Sequence, residues 1–168
     1  IAVANAITSS DEYRSSHIVG SYATYLGRPP DAAGQAFWLG HLAGGMTIQS
    51  MEAGFLAADE YYGQAGSADG VWVAHLYGHV LGRSAAQSEI DFWTGRLRAG
   101  ATRNSVALGF LLSTEHLVSV VDGYYQQLLG RGIDPTGSRS WVAAIQGGRR
   151  VEEIIGGIVA SEEYFGLS

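Results

Sequence analysis

A chain of 168 residues that is 46% hydrophobic and only 15% charged can bury a core and is too apolar to stay disordered. Its formal net charge of −6 argues against a nucleic-acid partner, because such partners require a clustered face of lysine and arginine. The absence of cysteine excludes disulfides and thiolate zinc sites, and no apolar run reaches the roughly 18 residues of a membrane span.

The chain opens inside a motif that returns at its end. Ser10-Asp11-Glu12-Tyr13 matches Ser161-Glu162-Glu163-Tyr164. We therefore predict that residues 1–17 are the tail of a preceding repeat, and we expect this chain to be part of a longer polypeptide. Such internal similarity must be found before helices and strands are assigned, because it determines the fold.

Three further repeats follow, each marked by Leu-Gly-Arg and by a tryptophan ten residues after the arginine. The three pairs are Arg28 and Trp38, Arg83 and Trp93, and Arg131 and Trp141. The arginines are 55 and then 48 residues apart, and the difference lies in a loop rich in Gly, Ala and Ser. The predicted repeats are residues 18–63, 71–118 and 119–168, with a loop over 64–70.

Each repeat is predicted to hold three helices. The first runs over about residues 18–26, 71–81 and 120–129, where apolar pairs recur every four residues. No segment alternates apolar and polar residues over a strand length, so we expect no sheet. The predicted fold class is all-α, an array of three-helix repeats of about 50 residues stacked into one compact or solenoid-like body.

Residues that begin and end helices occupy matching places in the repeats. Asp31 and Asp134 are predicted to cap the second helix, and Thr47 and Thr102 the third, since their side-chain oxygens can accept unpaired backbone N–H groups. Gly27, Gly82 and Gly130 suit the left-handed conformation that ends the first helix. A Ser-x-Glu-Tyr turn is predicted to lead into each following first helix, with Ser113 and Ser161 as its caps.

The recurrent arginine and glutamate predict an ion pair that joins helices. A guanidinium can hold a carboxylate and helix-end carbonyls together, and its identical placement in every repeat favours a structural clamp over an anionic-ligand site. Which glutamate each arginine contacts, in its own repeat or in the preceding one, the sequence leaves open. The clamp residues are Arg28, Arg83, Arg131, Glu12, Glu60, Glu115 and Glu163.

Large aromatic residues at helical spacing predict the core of each repeat. This set comprises Trp38, Trp93, Trp141, Phe55 and Phe110. The alternative for the tryptophans is carbohydrate stacking by an exposed ring, which core burial outweighs.

His75 and His79 stand four residues apart on a predicted helix, which is a spacing found in metal sites. Only the middle repeat has this pair, and the glutamate of the zinc-protease motif is absent because Leu76 follows His75. The pair is a weak candidate for a metal site, so we predict no cofactor. The sequence also lacks a Gly-x-Ser-x-Gly nucleophile motif and a phosphate-binding loop, and we predict that the protein is not an enzyme.

The combined pattern resembles a bacterial family of domains of unknown function, the "four-two-one-four" DUF. The resemblance rests on residues 27–34 with Phe37-Trp38, Leu42, Gly45, Phe55 and Glu60-Tyr61, and again on residues 130–137 with Trp141 and 161–164. The second repeat departs from it at Ala86 and Glu89, and the third at Ser140 and Ile158. The family is distantly similar to the helical linker domains of phycobilisomes.

This resemblance implies an extracellular or cell-surface bacterial protein with no catalytic residues to carry over. We therefore expect a non-catalytic structural or adhesive module that associates with a protein partner or with copies of itself. The alternative is a carbohydrate-binding module that uses exposed Trp or Tyr. A metal-dependent hydrolase around the histidine pair is the third hypothesis.

Overall fold

The computed structural model describes residues 10–159, which fold into ten α-helices and contain no strand. The all-α prediction is confirmed. A five-residue π-helix, Tyr22–Leu26, extends the first helix without a break. The helices are α1 (Asp11–Ser21), α2 (Ala32–Ala43), α3 (Ile48–Ala57), α4 (Asp59–Gln64), α5 (Asp69–Leu81), α6 (Gln87–Arg98), α7 (Arg103–Leu111), α8 (Thr114–Leu129), α9 (Pro135–Gln146) and α10 (Val151–Val159).

Two of the predicted boundaries between repeats lie within helices, because the Ser-x-Glu-Tyr segment begins a helix and is not a separate turn. Ser10 accepts a hydrogen bond from the backbone N–H of Tyr13, and Ser113 from that of His116, so that each serine caps a helix. Acidic residues in the first turn suit the positive end of the helix dipole. The predicted boundaries at 17/18 and 118/119 therefore fall inside α1 and α8.

The seven extra residues between the first two arginines divide one helix into two. In repeat three one helix, α8, begins with acidic residues and continues into the apolar stripe. Between repeats one and two the equivalent segments form two separate helices, α4 and α5. Gly66 and Ser67 have φ values of 87° and 56°, which interrupt the helix. The loop is thus 65–68, shorter than the predicted 64–70, and repeat one ends in a fourth, short helix.

Two buried clusters make up the described core. One joins repeats one and two, where α3 and α7 form the most extensive contact between described helices. At its centre Trp72 is 0% exposed and donates its indole N–H to the Leu56 carbonyl at 2.8 Å. The other cluster belongs to repeat three and gathers α8, α9 and α10 around Leu117, Val121 and Ile154.

Each repeat packs its signature tryptophan against a glycine of its third helix. A Cβ atom added at Gly54 would lie 2.7 Å from Cη2 of Trp38, and the corresponding distances for Gly109 to Trp93 and Gly157 to Trp141 are 3.2 and 3.1 Å. The edge of the indole, at Cη2, can approach the helix this closely only because no side chain intervenes. This contact recurs at the same place in all three repeats.

Among residues 10–159 no single helix is both long and apolar enough to cross a membrane. The α7 and α8 helices together reach that length and composition, but they are bent by 49° where they join.

The glycine under Trp38 gives a stability test. Gly54→Ala should lower the free energy of unfolding by about 1–3 kcal/mol, because the added methyl group overlaps the indole and forces repacking. Gly95→Ala is the matched control. Gly95 lies inside α6, and a Cβ there would meet no atom within 4 Å, so this change should stabilise by about 0.5–1 kcal/mol. Urea unfolding measures both, and equal effects would contradict the packing.

Candidate functional site

In each described repeat the arginine lies over a tyrosine ring, at 5.1 Å for Arg28 and Tyr22. In repeats two and three the same tyrosine also contacts the tryptophan. The Arg83 guanidinium lies over the Tyr77 ring, 4.7 Å from its centroid, and the Trp93 indole donates to the Tyr77 hydroxyl at 3.2 Å. Repeat three has Arg131 at 5.3 Å from the Tyr125 ring, while the Trp141 indole donates to the Tyr125 hydroxyl at 3.1 Å. The tyrosine thus uses its ring for the cation and its hydroxyl for the indole.

The arginine contacts the glutamate 32 residues further on, within the predicted bounds of its own repeat. Glu60 lies on α4, and Glu115 lies in the first turn of α8. Arg28 donates through Nε and Nη2 to Glu60 at 2.7 and 2.8 Å. Arg83 contacts Glu115 in the same way, at 2.7 and 3.1 Å. These hydrogen bonds lower the pKa of both carboxyl groups. The pairs are about two-fifths exposed, so water and salt weaken them and they orient the helix ends more than they stabilise the fold.

The remaining members of the predicted clamp are Glu12, Arg131 and Glu163. Glu12 lies in the first turn of α1 and is exposed. Arg131 donates to the Gly132 carbonyl at 2.9 Å, and Glu163 lies outside the described residues.

Repeat two has a second carboxylate that sequence reasoning missed. Glu89 accepts hydrogen bonds from both Nη atoms of Arg83, at 3.0 and 2.9 Å, and from the backbone N–H of Ala86 at 2.8 Å. These donors lower its pKa to about 2. Ala86 has no side-chain oxygen to cap α6, so Glu89 reaches back to do so. The sequence contained a signal for this contact, because Glu89 lies three residues after the N-cap residue Ala86, which is the spacing of a capping box.

The residues predicted to cap helices lie at helix ends. Asp31 accepts from the Gly34 N–H, Asp134 from the Thr136 and Gly137 N–H groups, and Thr47 and Thr102 from Ser50 and Ser105. The three glycines after the first helices share a left-handed conformation. Their φ values are 65° at Gly27, 67° at Gly82 and 67° at Gly130.

The aromatic residues of the predicted core are buried to different degrees. Phe55 and Phe110 are 3% and 2% exposed, and Trp38, Trp93 and Trp141 are half-buried. One face of the Trp38 indole stacks on Phe55, with the ring centroids 5.0 Å apart. The tryptophans therefore link the core to the surface.

A polar cavity separates repeat one from repeat three. Its volume is about 130 Å³, and α1, α3, α8 and α10 supply its walls. His17, Gln49, Glu52, His116 and Tyr124 line it together with three apolar side chains. An adjoining open cavity of about 160 Å³ shares His17 and Glu52. In the repeat frame His17 replaces Trp72, and Glu52 replaces Ala107, so that these polar side chains depart from the apolar pattern.

Burial controls the ionisation of this cavity. It raises the pKa of Glu52 to about 7 and lowers the pKa values of His17 and His116. Glu52 makes no hydrogen bond or ion pair with a described residue, so nothing there offsets the loss of water around its charge.

A buried ion pair lies beside the cavity. Arg150 contacts the buried Glu152 at 3.2 Å and reaches the Met46 carbonyl of repeat one at 3.5 Å. The Tyr13 hydroxyl lies next to Tyr124 without a well-formed hydrogen bond, and burial raises its pKa. This boundary is therefore polar, unlike the apolar contact between repeats one and two.

The α2 helix presents an uncharged, apolar outer face. Its exposed side chains are Ala32, Ala33, Ala36, Phe37, Gly40, His41 and Ala43. Phe37 is 56% exposed, with its ring against Trp38 and His41. The equivalent helices are different: α6 exposes Gln87, Ser88, Asp91, Phe92, Arg96 and Arg98, and α9 exposes Pro135, Thr136, Arg139, Ser140, Ala143 and Gln146.

His75 and His79 are both exposed on α5, with ring centroids 5.8 Å apart. The Tyr61 hydroxyl lies 2.9 Å from Nδ1 of His79. No group of three or more His, Cys, Asp or Glu in residues 10–159 is arranged to hold a metal ion.

The fold and its repeated contact of arginine with tyrosine define an all-α repeat protein. The family model for a domain of unknown function, DUF4214, matches the chain three times, at residues 4–65, 53–120 and 118–167. The chain belongs to this family, which confirms the resemblance to it. No curated protein and no solved structure matches the chain.

The raised pKa of Glu52 predicts how stability changes with pH. The folded chain holds its proton up to about pH 7, whereas the unfolded chain releases it near 4.5. The stabilisation from neutral Glu52 is complete below 4.5 and is lost as the pH rises through 7, an effect of up to about 3 kcal/mol. Glu52→Gln should remove this loss.

The measurement is the difference in free energy of unfolding between Glu52→Gln and the unsubstituted chain at pH 5 and pH 8. His17 and His116 act in the opposite sense, since their lowered pKa values cost stability as the pH falls below 6.5. They are present in both chains, so the difference isolates Glu52. A difference that does not change with pH would contradict a buried, unpaired carboxyl group.

Proposed function

We propose that this protein is a non-catalytic structural module that associates with a second copy of itself through the outer face of α2. The observation that supports this is the exposed apolar face around Phe37, in contrast to the polar faces of α6 and α9. Exposed apolar surface concentrated on one element is typical of interaction sites.

The composition of the face favours a like partner. In a twofold pair the same residues meet one another, so charges would face like charges near the axis. The α2 helix carries no Asp, Glu, Lys or Arg along its length. It therefore avoids that repulsion, although the chain as a whole carries a net charge of −6.

The shape of the face also suits a like partner. Phe37 projects between the small residues Ala33 and Gly40, one turn away on either side, and a Cβ added at Gly40 would meet nothing within 4 Å. The phenylalanine of one copy can pack over the small residues of the other. Such complementarity of large and small side chains is how helices approach closely.

A location on or outside a bacterial cell, and an adhesive role there, are part of the same proposal. Their support is the resemblance of the chain to a family associated with surface proteins. Carbohydrate binding has less support, because the Trp38 and Trp93 indoles each lie against a phenylalanine, with ring centroids 5.0 and 4.9 Å apart. A metal-dependent hydrolase is supported by the pair of His75 and His79 alone.

Phe37→Ser tests the proposed contact. Serine is the residue that repeat three carries at this position, Ser140. The substitution should weaken self-association about tenfold or more, because burial of a phenylalanine side chain stabilises a contact by roughly 1.5–3 kcal/mol. Sedimentation equilibrium over a range of protein concentrations measures the dissociation constant.

Phe92→Ser is the matched control, since Phe92 is also 56% exposed and occupies the same repeat position on the charged face of α6. It should leave association unchanged. The proposal is wrong if the chain remains a monomer at millimolar concentration, or if both variants weaken association equally.

A further inference from the structure

We propose that His75 and His79 form half of a transition-metal site and that a second copy of the chain supplies the other half. The metal would be a divalent cation that prefers imidazole ligands, such as Zn²⁺, Ni²⁺ or Cu²⁺. The bridge lies on α5 and does not depend on the α2 contact.

The two rings are placed to converge on one ion. They project from successive turns of α5, are both exposed, and have centroids 5.8 Å apart. An imidazole nitrogen binds Zn²⁺ at about 2.0–2.1 Å, which puts the ring centroid roughly 1 Å further from the ion. Two ring centroids that are each roughly 3 Å from one ion can be at most about 6 Å apart, and the observed separation is within that limit.

Tyr61 orients one of these ligands. Its side chain is 2% exposed, and its hydroxyl lies 2.9 Å from Nδ1 of His79. In the tautomer where Nδ1–H donates to this hydroxyl, the lone pair of Nε2 points outward and can bind a metal. Metal-binding histidines generally have such a partner on the other ring nitrogen, because it sets the tautomer and the ring orientation.

Within residues 10–159, one chain does not complete the coordination. Structural zinc sites use four protein ligands and catalytic sites use three. All five histidines of the chain lie within residues 10–159, where no third metal-binding side chain joins the pair. Two copies related by a twofold axis would contribute four imidazoles, which satisfies a tetrahedral ion.

The surface beside the histidines allows a second helix to approach. Ala74 and Gly78 lie four residues apart on α5. With Gly82, which ends the helix, and the following Arg83, Ser84 and Ala85 they line an open groove of about 400 Å³. A Cβ added at Gly78 would meet nothing within 4 Å. The row of histidines lies next to this row of small residues, so the α5 helices of two copies can cross closely with their histidines around the same ion.

The experiment uses the full chain with Phe37→Ser, which removes the α2 contact from the measurement. Sedimentation velocity with Zn²⁺ at half the molar concentration of protein should show the mass change from 17.8 kDa to twice that value, and excess EDTA should reverse the change. Calorimetry should give one Zn²⁺ for two chains. Mg²⁺ should have no effect, because it prefers oxygen ligands.

Variants identify the ligands. His75→Ala and His79→Ala should each abolish pairing, and Tyr61→Phe should weaken Zn²⁺ binding roughly tenfold while leaving the far-ultraviolet circular dichroism spectrum unchanged. The proposal is overturned if Zn²⁺ leaves the mass unchanged, if one ion binds per chain without pairing, or if pairing survives both histidine substitutions. None of these outcomes bears on the α2 contact, which is measured without metal.

Discussion

The contact between α3 and α7 is the interaction on which the first two repeats depend. A three-helix repeat of about 50 residues buries too little apolar surface to be stable alone, so neighbouring repeats must share a core. Here the third helices provide it, with Met51, Phe55 and Phe110 almost fully buried between them. The fully buried Trp72 then binds the end of α3 to α5 through its hydrogen bond to Leu56. Repeats one and two thereby form a continuous apolar body.

The boundary between repeats one and three is polar, unlike the contact between repeats one and two. Polar side chains replace apolar ones at His17 and Glu52, and a cavity remains between the two cores. Buried polar groups that lack full hydrogen bonding cost stability, so this boundary is weaker than the contact of α3 with α7. Its stability also depends on pH, because burial raises the pKa of Glu52 to about 7.

Comparing the three repeats with one another distinguishes features that the fold requires from features that occur once. The contact of the arginine with the tyrosine ring and that of the tryptophan with the glycine occur in every repeat, so their role is to hold helices together. The uncharged face of α2 and the histidine pair of α5 each occur in one repeat only. Both lie on exposed helix faces, where the fold does not require them. These departures from the repeated pattern are where function is expected, and both favour association between copies.

What the sequence by itself determined is local. Helix caps and the glycines that end helices depend on residues a few positions apart, and residue type and spacing encode those interactions. The repeats are visible when the chain is compared with itself, which needs no tertiary structure. The tertiary structure decided what depends on distant segments. It showed that Arg28 and Arg83 contact the glutamates 32 residues further on, and that Glu52 and His116 line the same cavity. No local pattern contains that information, because burial and charge partners arise only when the helices pack.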